Sequence, residues 1–379
     1  MDILYITQAR IPTEKAHGVN ITSMCKFFNK GKNNIKLIIP RVKNKIKEDT
    51  FQYYDIKDHF EIVRLPAISI FKLEKILGKL TFFTQLLSFY ISVLFYLLLQ
   101  KRSDKVLYTR DYLPSFISLL GYKVVYECHS IPRKRKMFFL ITKLFSKVIV
   151  ISKGLKEDFL EQGFKDNKIL IAADAVNLNI FIKSITREEA RKKLNLPENK
   201  DIICYCGKFK TMGMDKGIKD ILLSLTFLEK EVLFLAVGGD QKDINFYQKM
   251  ADDLKVSKLV KFIGHIKQNE LAVYQKAADI LLMPFPNIEH YSKFMSPIKM
   301  FEYMASKRPI IASNLPTIKE VLNNDNCLFC EPDNPRDLAI KIEELLNNKE
   351  RGDKLSQVAF KDVQRYTWEN RVKMILKFI

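Results

Sequence analysis

The sequence predicts an α/β protein built from two Rossmann-like domains, each with a parallel sheet. The chain has 379 residues, which exceeds the size of one ordinary hydrophobic core. In the first half, an apolar strand at residues 2–7, a helix at 19–29 and a strand at 35–40 follow one another. A second strand and helix series starts at residue 202. Such alternation is typical of parallel sheets, whose ligands bind at the carboxyl ends of the strands.

Charge is unevenly distributed along the chain. The formal net charge is +20, and residues 1–180 carry 14 of these excess positive charges. Nucleic acid, anionic lipid and phosphorylated substrates all bind such basic surfaces. No helix-turn-helix, RNA-binding or zinc signature accompanies the charge, so we expect no nucleic-acid partner. The chain opens with a strand and has no basic leader segment, so we expect a cytoplasmic protein instead of a secretory precursor.

Six cysteines include two closely spaced pairs. Cys204 and Cys206 are separated by one residue, and Cys327 and Cys330 are separated by two residues. Metal and redox sites also use such spacings. The first pair falls in a strand pattern, and no histidine has a fitting ligand spacing. We therefore expect buried free thiols in a reducing compartment.

The segment SPIKMFEYMASKRPIIAS, residues 296–313, predicts a helix, a turn and a strand. Ser296 is a favoured N-cap residue, Pro297 suits the first helical position, and apolar residues then recur at helical spacing. The free N–H groups and the macrodipole of a helix start attract anions. Glu302 follows about one turn later. The segment therefore predicts an anion site with a carboxylate beside it.

This segment resembles the nucleotide-binding core of the retaining family 4 glycosyltransferases, which have the GT-B fold. The resemblance implies two Rossmann-like domains facing a central cleft. It places an acceptor-binding domain at residues 1–178, a donor-binding domain at 179–363, and a final helix at 364–379 that crosses back onto the first domain. It also implies that the helix start, Ser296, Pro297 and Ile298, holds the donor diphosphate, while Glu302 holds the ribose.

Two lysines match the cations that this family uses on the donor diphosphate. The family typically has a Gly-Arg or Gly-Lys turn followed by Lys-Gly, and Gly207-Lys208 and Lys216 stand at those positions. When the bond between sugar and phosphate breaks, negative charge collects on the leaving diphosphate, and fixed cations stabilise it. Lys208 replaces the commoner arginine with a point charge. Lys299 is a further candidate donor contact. An ordinary solvated lysine is the alternative for each.

Other donor contacts are implied near the nucleobase. Gly239 ends a buried strand, and His265 follows the next strand at the position where backbone meets the base in this family. A plain turn between strand and helix would give the same pattern. The chain departs from the commoner family pattern at Phe294, where most relatives have a glutamate that holds the donor sugar. This departure leaves the identity of the sugar open.

Two residues of the first half match family positions. Gly18 lies in the predicted first loop, where glycine lets the backbone approach the donor phosphate or the acceptor. Strand residues 124–128 are followed by His129, and the resemblance implies that this histidine contacts the transferred sugar. A structural histidine is the alternative. Catalytic-base chemistry is less favoured, because no nucleophile or orienting acid is recognisable from the pattern.

Residues 80–99 form an uncharged apolar stretch that also invites a membrane interpretation. One helical face carries Thr81, Gln85, Ser88 and Ser92, which favours a long helix packed on the sheet over a membrane-spanning helix. Peripheral contact with an anionic membrane stays open. Cationic residues accompany apolar ones there, at Lys72, Lys75 and Lys79 and in the run from Arg133 to Leu140.

Together the residues and the resemblance predict a retaining hexosyltransferase. It would move a hexose-type sugar from a UDP- or GDP-sugar to a glycan or lipid-linked acceptor in surface polysaccharide assembly, without a cofactor or a metal. A nucleotide-sugar 2-epimerase of the same fold is one alternative. A relative that binds donor or membrane without turnover is the other, because Phe294 replaces the usual acid.

Overall fold

The computed structural model describes residues 1–30, 33–70, 78–100, 105–181 and 185–379. They divide into two compact units. Unit 1 consists of Met1–Ala172 and Arg371–Ile379, and unit 2 consists of Ala173–Asn370. The sequence prediction placed the first boundary near residue 178 and the return of the chain at residue 364.

In the described part of unit 1, seven strands form one parallel sheet. They are β1 (Asp2–Ile6), β2 (Asn34–Arg41), β3 (Glu61–Pro66), β4 (Lys105–Thr109), β5 (Lys123–Cys128), β6 (Lys147–Val150) and β7 (Ile169–Ile171). Their order is β3-β2-β1-β4-β5-β6-β7. The order reverses between β1 and β4, and in doubly wound sheets ligands bind beside such a reversal.

The helices of unit 1 connect these strands. They are α1 (Ala16–Phe28), α2 (Thr50–Tyr53), α3 (Lys79–Leu98), α4 (Arg135–Thr142) and α5 (Lys153–Glu161), together with 3₁₀ helices at Leu113–Leu120 and Asp166–Lys168. Helix α1 begins three residues earlier than the sequence predicted. The predicted loop residue Gly18 therefore lies in its first turn, where its N–H donates to Lys15 O at 2.9 Å.

The described residues of unit 2 place six strands in a second parallel sheet. They are β8 (Asp201–Cys206), β11 (Val232–Gly239), β12 (Val260–Gly264), β13 (Ile280–Met283), β14 (Ile310–Ser313) and β15 (Leu328–Cys330). The order β12-β11-β8-β13-β14-β15 repeats that of the first six strands of unit 1. A short antiparallel hairpin, β9 (Lys210–Thr211) with β10 (Met214–Asp215), follows β8.

Helices cover both faces of this sheet. They are α6 (Leu178–Phe181), α7 (Arg187–Lys193), α8 (Ile218–Ser224), α9 (Gln241–Asp253), α10 (Gln268–Ala277), α11 (Glu289–Lys293), α12 (Ile298–Ser306), α13 (Pro316–Lys319), α14 (Pro335–Asn347) and α15 (Lys349–Val363), with a 3₁₀ helix at Ser257–Leu259. The last helix, α16 (Trp368–Phe378), begins in unit 2, and its residues from Arg371 onward belong to unit 1.

Alternation along β8 shows how the sheet of unit 2 builds a core on each face. Cys204 and Cys206 belong to one buried cluster, whereas Ile203 and Tyr205 belong to the other. Successive side chains of a strand point to opposite faces, so a strand covered on both sides is apolar throughout. All six cysteines are buried and free, which confirms the prediction of buried thiols.

Helix α3 packs on the sheet as predicted, but its polar stripe does not face solvent. Thr81 is buried, and the Ser88 hydroxyl accepts from Ile68 N at 2.9 Å and donates to Thr84 O at 2.8 Å. The exposed residues of the helix are apolar instead. Leu80–Leu98 has a mean hydropathy of 1.7, and by length and composition alone it could cross a membrane. Lys72 and Lys75, predicted to flank it, lie outside the described residues.

Candidate functional site

The candidate site of unit 2 lies where its strand order reverses, between β8 and β13. Gly207 follows β8 directly, and Phe285 lies two residues beyond β13. Parallel strands direct their carboxyl ends to one edge, so the loops after both strands meet there. The hairpin β9–β10 and the start of α12 belong to these loops.

Gly207 lets a lysine side chain lie directly against the backbone. Its φ is +124°, a conformation that favours glycine. A Cβ atom at this position would approach Lys299 Cε to 3.2 Å and Lys299 Nζ to 3.3 Å. The predicted contact residue therefore has a packing role that sequence alone did not reveal: it makes room for Lys299.

Lys299 is a buried amine without a hydrogen-bond acceptor among the described residues. The residue is 7% exposed, and its Nζ lies 3.4 Å from the ring centroid of Tyr205 and 5.3 Å from that of Phe285. Burial lowers the pKa of Lys299 well below its ordinary value, and the charge on Lys216 lowers it further. The two rings stabilise the ammonium only in part. An anion arriving here would supply the missing acceptor.

Lys216 brings a second cation to the same place. It stands between the hairpin and Gly217, whose φ is +98° and whose Cβ would meet Pro284 O at 2.1 Å, so the backbone passes close to the loop after β13. Burial, followed by the charge of Lys208, lowers the pKa of Lys216 to about 8. Among the described residues, neither Lys208 nor Lys216 nor Lys299 forms a salt bridge with a carboxylate.

The start of α12 differs by one residue from the prediction. Pro297 is the N-cap residue and the helix begins at Ile298, with no side chain capping its first turn. Ser296 was predicted to be the cap, but its hydroxyl instead accepts from Asp174 N at 2.9 Å. Because that hydroxyl is engaged elsewhere, the first N–H groups of α12 keep their capacity to bind an anion.

Glu302 lies one turn along α12, on the same face as Lys299. Its carboxylate is buried and accepts from Gln268 Nε2 at 2.7 Å. Burial raises the pKa of Glu302, while Gln268 and Lys299 oppose that rise. A buried carboxylate of this kind suits a hydroxyl donor such as a ribose.

The remaining predicted donor contacts lie on neighbouring strands. Gly239 ends β11, and a Cβ there would clash with the Phe209 ring at 2.3 Å. His265 follows β12 at the same edge of the sheet and is exposed. Phe294 ends α11 and is 5% exposed. The position for which the resemblance implied an acid in most family members is therefore an apolar packing position in this chain.

Unit 1 holds a separate group of polar residues around Glu127, at the end of β5. The carboxylate is fully buried and accepts from Arg371 Nη1 at 3.1 Å and from His129 Nε2 at 2.5 Å, as well as from the Tyr108 hydroxyl. Burial alone would raise the pKa of Glu127, but Arg371 and His129 hold it well below its ordinary value. An ionised carboxylate only accepts, so His129 carries its proton on Nε2 in this contact.

Gly18 has a packing role in unit 1. A Cβ at this position would lie 2.1 Å from the Tyr54 hydroxyl. That hydroxyl accepts from Thr13 N and donates to Thr13 O, both at 2.8 Å, and so fixes the loop before α1. The need for glycine is thus explained without a ligand, and a donor contact at Gly18 stays a prediction.

The structure therefore brings together Gly207, Lys208, Lys216, Lys299, Glu302 and the start of α12 in unit 2. Sequence reasoning missed Tyr205, Phe285 and Gln268, which surround Lys299 and Glu302. In the sequence Tyr205 has the pattern of an ordinary strand residue, and nothing there indicates that its ring contacts Lys299. Glu127 was quoted only as part of the pattern before His129, and its partner Arg371 lies 244 residues away.

Comparisons with known proteins point in one direction. Residues 186–362 match the family model described as glycosyl transferases group 1. D-inositol 3-phosphate glycosyltransferase of Corynebacterium urealyticum is 22% identical over 244 residues, which is 61% of this chain and 55% of that protein. The chain spans about half the length of most of the curated relatives it matches.

Solved structures are similar over the whole chain. Sucrose-phosphate synthase from Thermosynechococcus elongatus has a TM-score of 0.77 at 18% identity and covers 99% of this chain and 97% of its own. Anabaena HepE in complex with UDP-glucose has a TM-score of 0.73 at 15% identity and covers all of both chains. These likenesses, with the two parallel sheets, confirm the predicted GT-B fold.

Proposed function

We propose that the chain is a glycosyltransferase that uses a nucleoside diphosphate sugar, and the match of residues 186–362 to the model described as glycosyl transferases group 1 supports this proposal. The observation that carries this proposal is the group of three lysines in unit 2. Lys299 is buried without an acceptor, Lys216 has a lowered pKa, and Lys208 adds to the positive charge. A diphosphate provides the negative charge and the acceptor oxygens that this group lacks.

Two comparisons support the choice of donor. HepE has been solved with UDP, with UDP and glucose, and with UDP-glucose, and its fold is that of this chain. The curated relatives include D-inositol 3-phosphate glycosyltransferases and a putative teichuronic acid biosynthesis glycosyltransferase. We therefore propose a UDP- or GDP-hexose as donor, and a glycan or lipid-linked acceptor in glycoconjugate assembly at the cytoplasmic side of the cell.

The proposed reaction retains the configuration of the sugar. The bond between the anomeric carbon and the phosphate oxygen breaks, and its electron pair stays on the diphosphate. The acceptor hydroxyl forms the new bond on the same face and gives its proton to the leaving phosphate oxygen. Lys208, Lys216, Lys299 and the start of α12 stabilise the charge that develops. No protein nucleophile, metal or cofactor is part of this proposal.

His129 is proposed to contact the transferred sugar. Its Nε2–H donates to Glu127, which fixes the orientation of the ring, and Arg371 keeps that carboxylate ionised. A histidine held in this way presents the rest of its ring in one orientation. Glu302 is proposed to accept from the ribose hydroxyls, beside its contact with Gln268.

Two other functions make different predictions. A nucleotide-sugar 2-epimerase would release free nucleotide without transferring sugar. A relative that has lost turnover would bind donor without consuming it, and Phe294 at the usual acid position favours this second alternative. Transfer to an acceptor distinguishes the proposed enzyme from both.

A thermal-shift screen against UDP, GDP, ADP, CMP and dTDP tests the proposal, because a ligand that binds only the folded state raises the melting temperature. We expect one nucleoside diphosphate to raise it, and Lys216→Ala to reduce the shift. Lys219→Ala is the matched control, since Lys219 is exposed on the neighbouring helix α8. No shift with any nucleotide, or equal shifts in both variants, would overturn the assigned site.

A further inference from the structure

Helix α3 carries an apolar stripe on its outer face. Six residues at helical spacing are between 45% and 66% exposed, namely Leu80, Phe83, Leu87, Ile91, Phe95 and Leu98. We call them the outer stripe. The opposite face is buried on the sheet through Phe89, Val93 and Leu97. A helix of a soluble domain normally turns its polar residues outward, so this reversed pattern marks an interaction surface.

Neighbouring segments extend this surface. The connections from β3 to β4, β4 to β5 and β5 to β6 all move in one direction along the sheet, and right-handed crossovers place them on one face. Tyr122, just after the 3₁₀ helix Leu113–Leu120, donates to Leu97 O at 2.9 Å, and Tyr112 packs on Phe138 of α4 at 5.5 Å. Further exposed apolar residues of these segments are Leu119, Met137 and Leu140.

The charge around the outer stripe is almost entirely positive. Residues 78–147, from the residue before α3 to the start of β6, contain 12 lysines and arginines and three acids. Arg135 is paired with Asp158 of α5 at 2.9 Å. Of the two acids within the described residues, Glu127 is buried, and Asp111 is engaged by Gln8 and Tyr90. Arg133, Lys134 and Lys136 are exposed beside Met137.

From this arrangement we propose that the outer stripe docks unit 1 on an anionic lipid bilayer. The apolar side chains would enter the boundary between headgroups and acyl chains, while the cations would contact anionic headgroups. A second copy of the chain fits less well, because a two-fold contact through this face would bring two positively charged surfaces together. The proposal does not depend on the transferase activity.

Sedimentation with vesicles tests this proposal on the full chain. We expect binding to vesicles of equal parts phosphatidylglycerol and phosphatidylcholine, and weak binding to phosphatidylcholine alone. Leu87→Gln/Phe95→Gln should reduce the bound fraction by about tenfold, because both side chains lose their favourable transfer from water. Phe227→Gln/Ile340→Gln is the matched control, since both residues are exposed apolar positions of unit 2. Circular dichroism melting checks that each variant is folded.

Insertion is measured separately with tryptophan fluorescence. Trp368, the chain's only tryptophan, is 1% exposed and gives a constant background. Brominated lipids should quench Phe83→Trp and leave Phe227→Trp unchanged. Binding without quenching would mean adsorption by charge alone and would overturn the proposal. A different result would also overturn the proposal: the protein does not bind vesicles, and sedimentation velocity shows a dimer that Leu87→Gln/Phe95→Gln dissociates.

Discussion

The two units share the order of their first six strands but differ in how their buried ionisable groups are satisfied. In unit 1 the buried Glu127 is bonded by Arg371, His129 and Tyr108, so its charge is satisfied within the fold. In unit 2 the buried Lys299 has no acceptor among the described residues. The partners of a buried charge offset its desolvation cost, whereas an unpaired buried group carries a cost that a ligand can recover. This difference supports the proposal that an anion binds beside the second sheet, at Lys299.

The largest expected effect comes from breaking the pair in unit 1. Arg371→Ala would leave Glu127 buried and uncompensated, and should lower the free energy of unfolding by roughly 3–5 kcal/mol. Urea unfolding measures this. Lys377→Ala, an exposed lysine of the same helix, is the control. If both variants lose the same small amount, the pair is not what holds α16 in unit 1.

Replacing the buried lysine of unit 2 should raise the free energy of unfolding, whereas Arg371→Ala should lower it. Lys299→Met keeps the aliphatic stem and should raise the free energy of unfolding by about 1–2 kcal/mol, because an unsatisfied buried group disappears. The same change should weaken UDP binding roughly 10- to 150-fold, since a hydrogen bond to a charged group contributes about 1.5–3 kcal/mol. Calorimetric titration gives the affinity, with Lys219→Met as control. A variant that is less stable and binds UDP normally would reverse the comparison.

The pH dependence of UDP binding tests whether Lys216 must be protonated to bind the diphosphate. Its pKa is lowered to about 8, so the lysine is charged below that pH in the free protein. Above pH 8, binding must include proton uptake by Lys216, which alone lowers the affinity by at most about tenfold per pH unit, and Lys299, whose pKa is also lowered, adds to this fall. Lys216→Arg should make this fall shallower near pH 9, because arginine stays charged and the contribution of Lys299 is left. Burial and Lys216 also lower the pKa of the nearby His290, so that group titrates below this range.

The same shift affects the stability of the free protein. A lysine whose pKa is lower in the folded state than in the unfolded state binds fewer protons when folded, between about pH 8 and its ordinary value. Stability without ligand should therefore rise with pH across that window. Lys216→Met should have a smaller rise than the unmodified protein, which urea unfolding at pH 7.5 and pH 10 would show, because Lys299 and Lys276 also have lowered pKa values.

The smallest expected effect concerns Glu302. Glu302→Gln keeps the shape of the side chain and removes the acceptor charge, so UDP should bind roughly five- to tenfold more weakly. Pyrophosphate, which has no ribose, should bind equally well to both proteins. A matching loss for pyrophosphate would mean that Glu302 acts on the lysines and not on the sugar.

Much of the fold could be predicted because its signals are local. Apolar strands alternate with helices in both halves, and this pattern gave the two parallel sheets. The start of α12 was placed within one residue for the same reason. The sequence could not show that Pro297, and not Ser296, is the N-cap residue of α12. The Ser296 hydroxyl accepts from Asp174 N, and Asp174 lies 122 residues away in the sequence.

The residues of the candidate site could be selected from the sequence, but which of its charged groups are paired could not. Lys208, Lys216 and Lys299 could be selected from their spacing and family resemblance, yet spacing says nothing about whether a charge is paired. The pairing of Glu127 with Arg371 and the placement of Lys299 over Tyr205 depend on tertiary contacts. The apolar outer face of α3 depends on contacts of the same kind, since the Ser88 hydroxyl bonds Thr84 within the helix and Ile68 outside it.

The most direct test of the diphosphate site is to measure how many protons the protein takes up when UDP binds at pH 8. Titration calorimetry in two buffers of different ionisation enthalpy gives this number. The second phosphate pKa is about 6, so UDP itself contributes little at this pH. If the diphosphate binds at Lys216 and Lys299, we predict uptake of about half a proton or more, reduced in Lys216→Arg. Binding with no proton uptake would contradict the site.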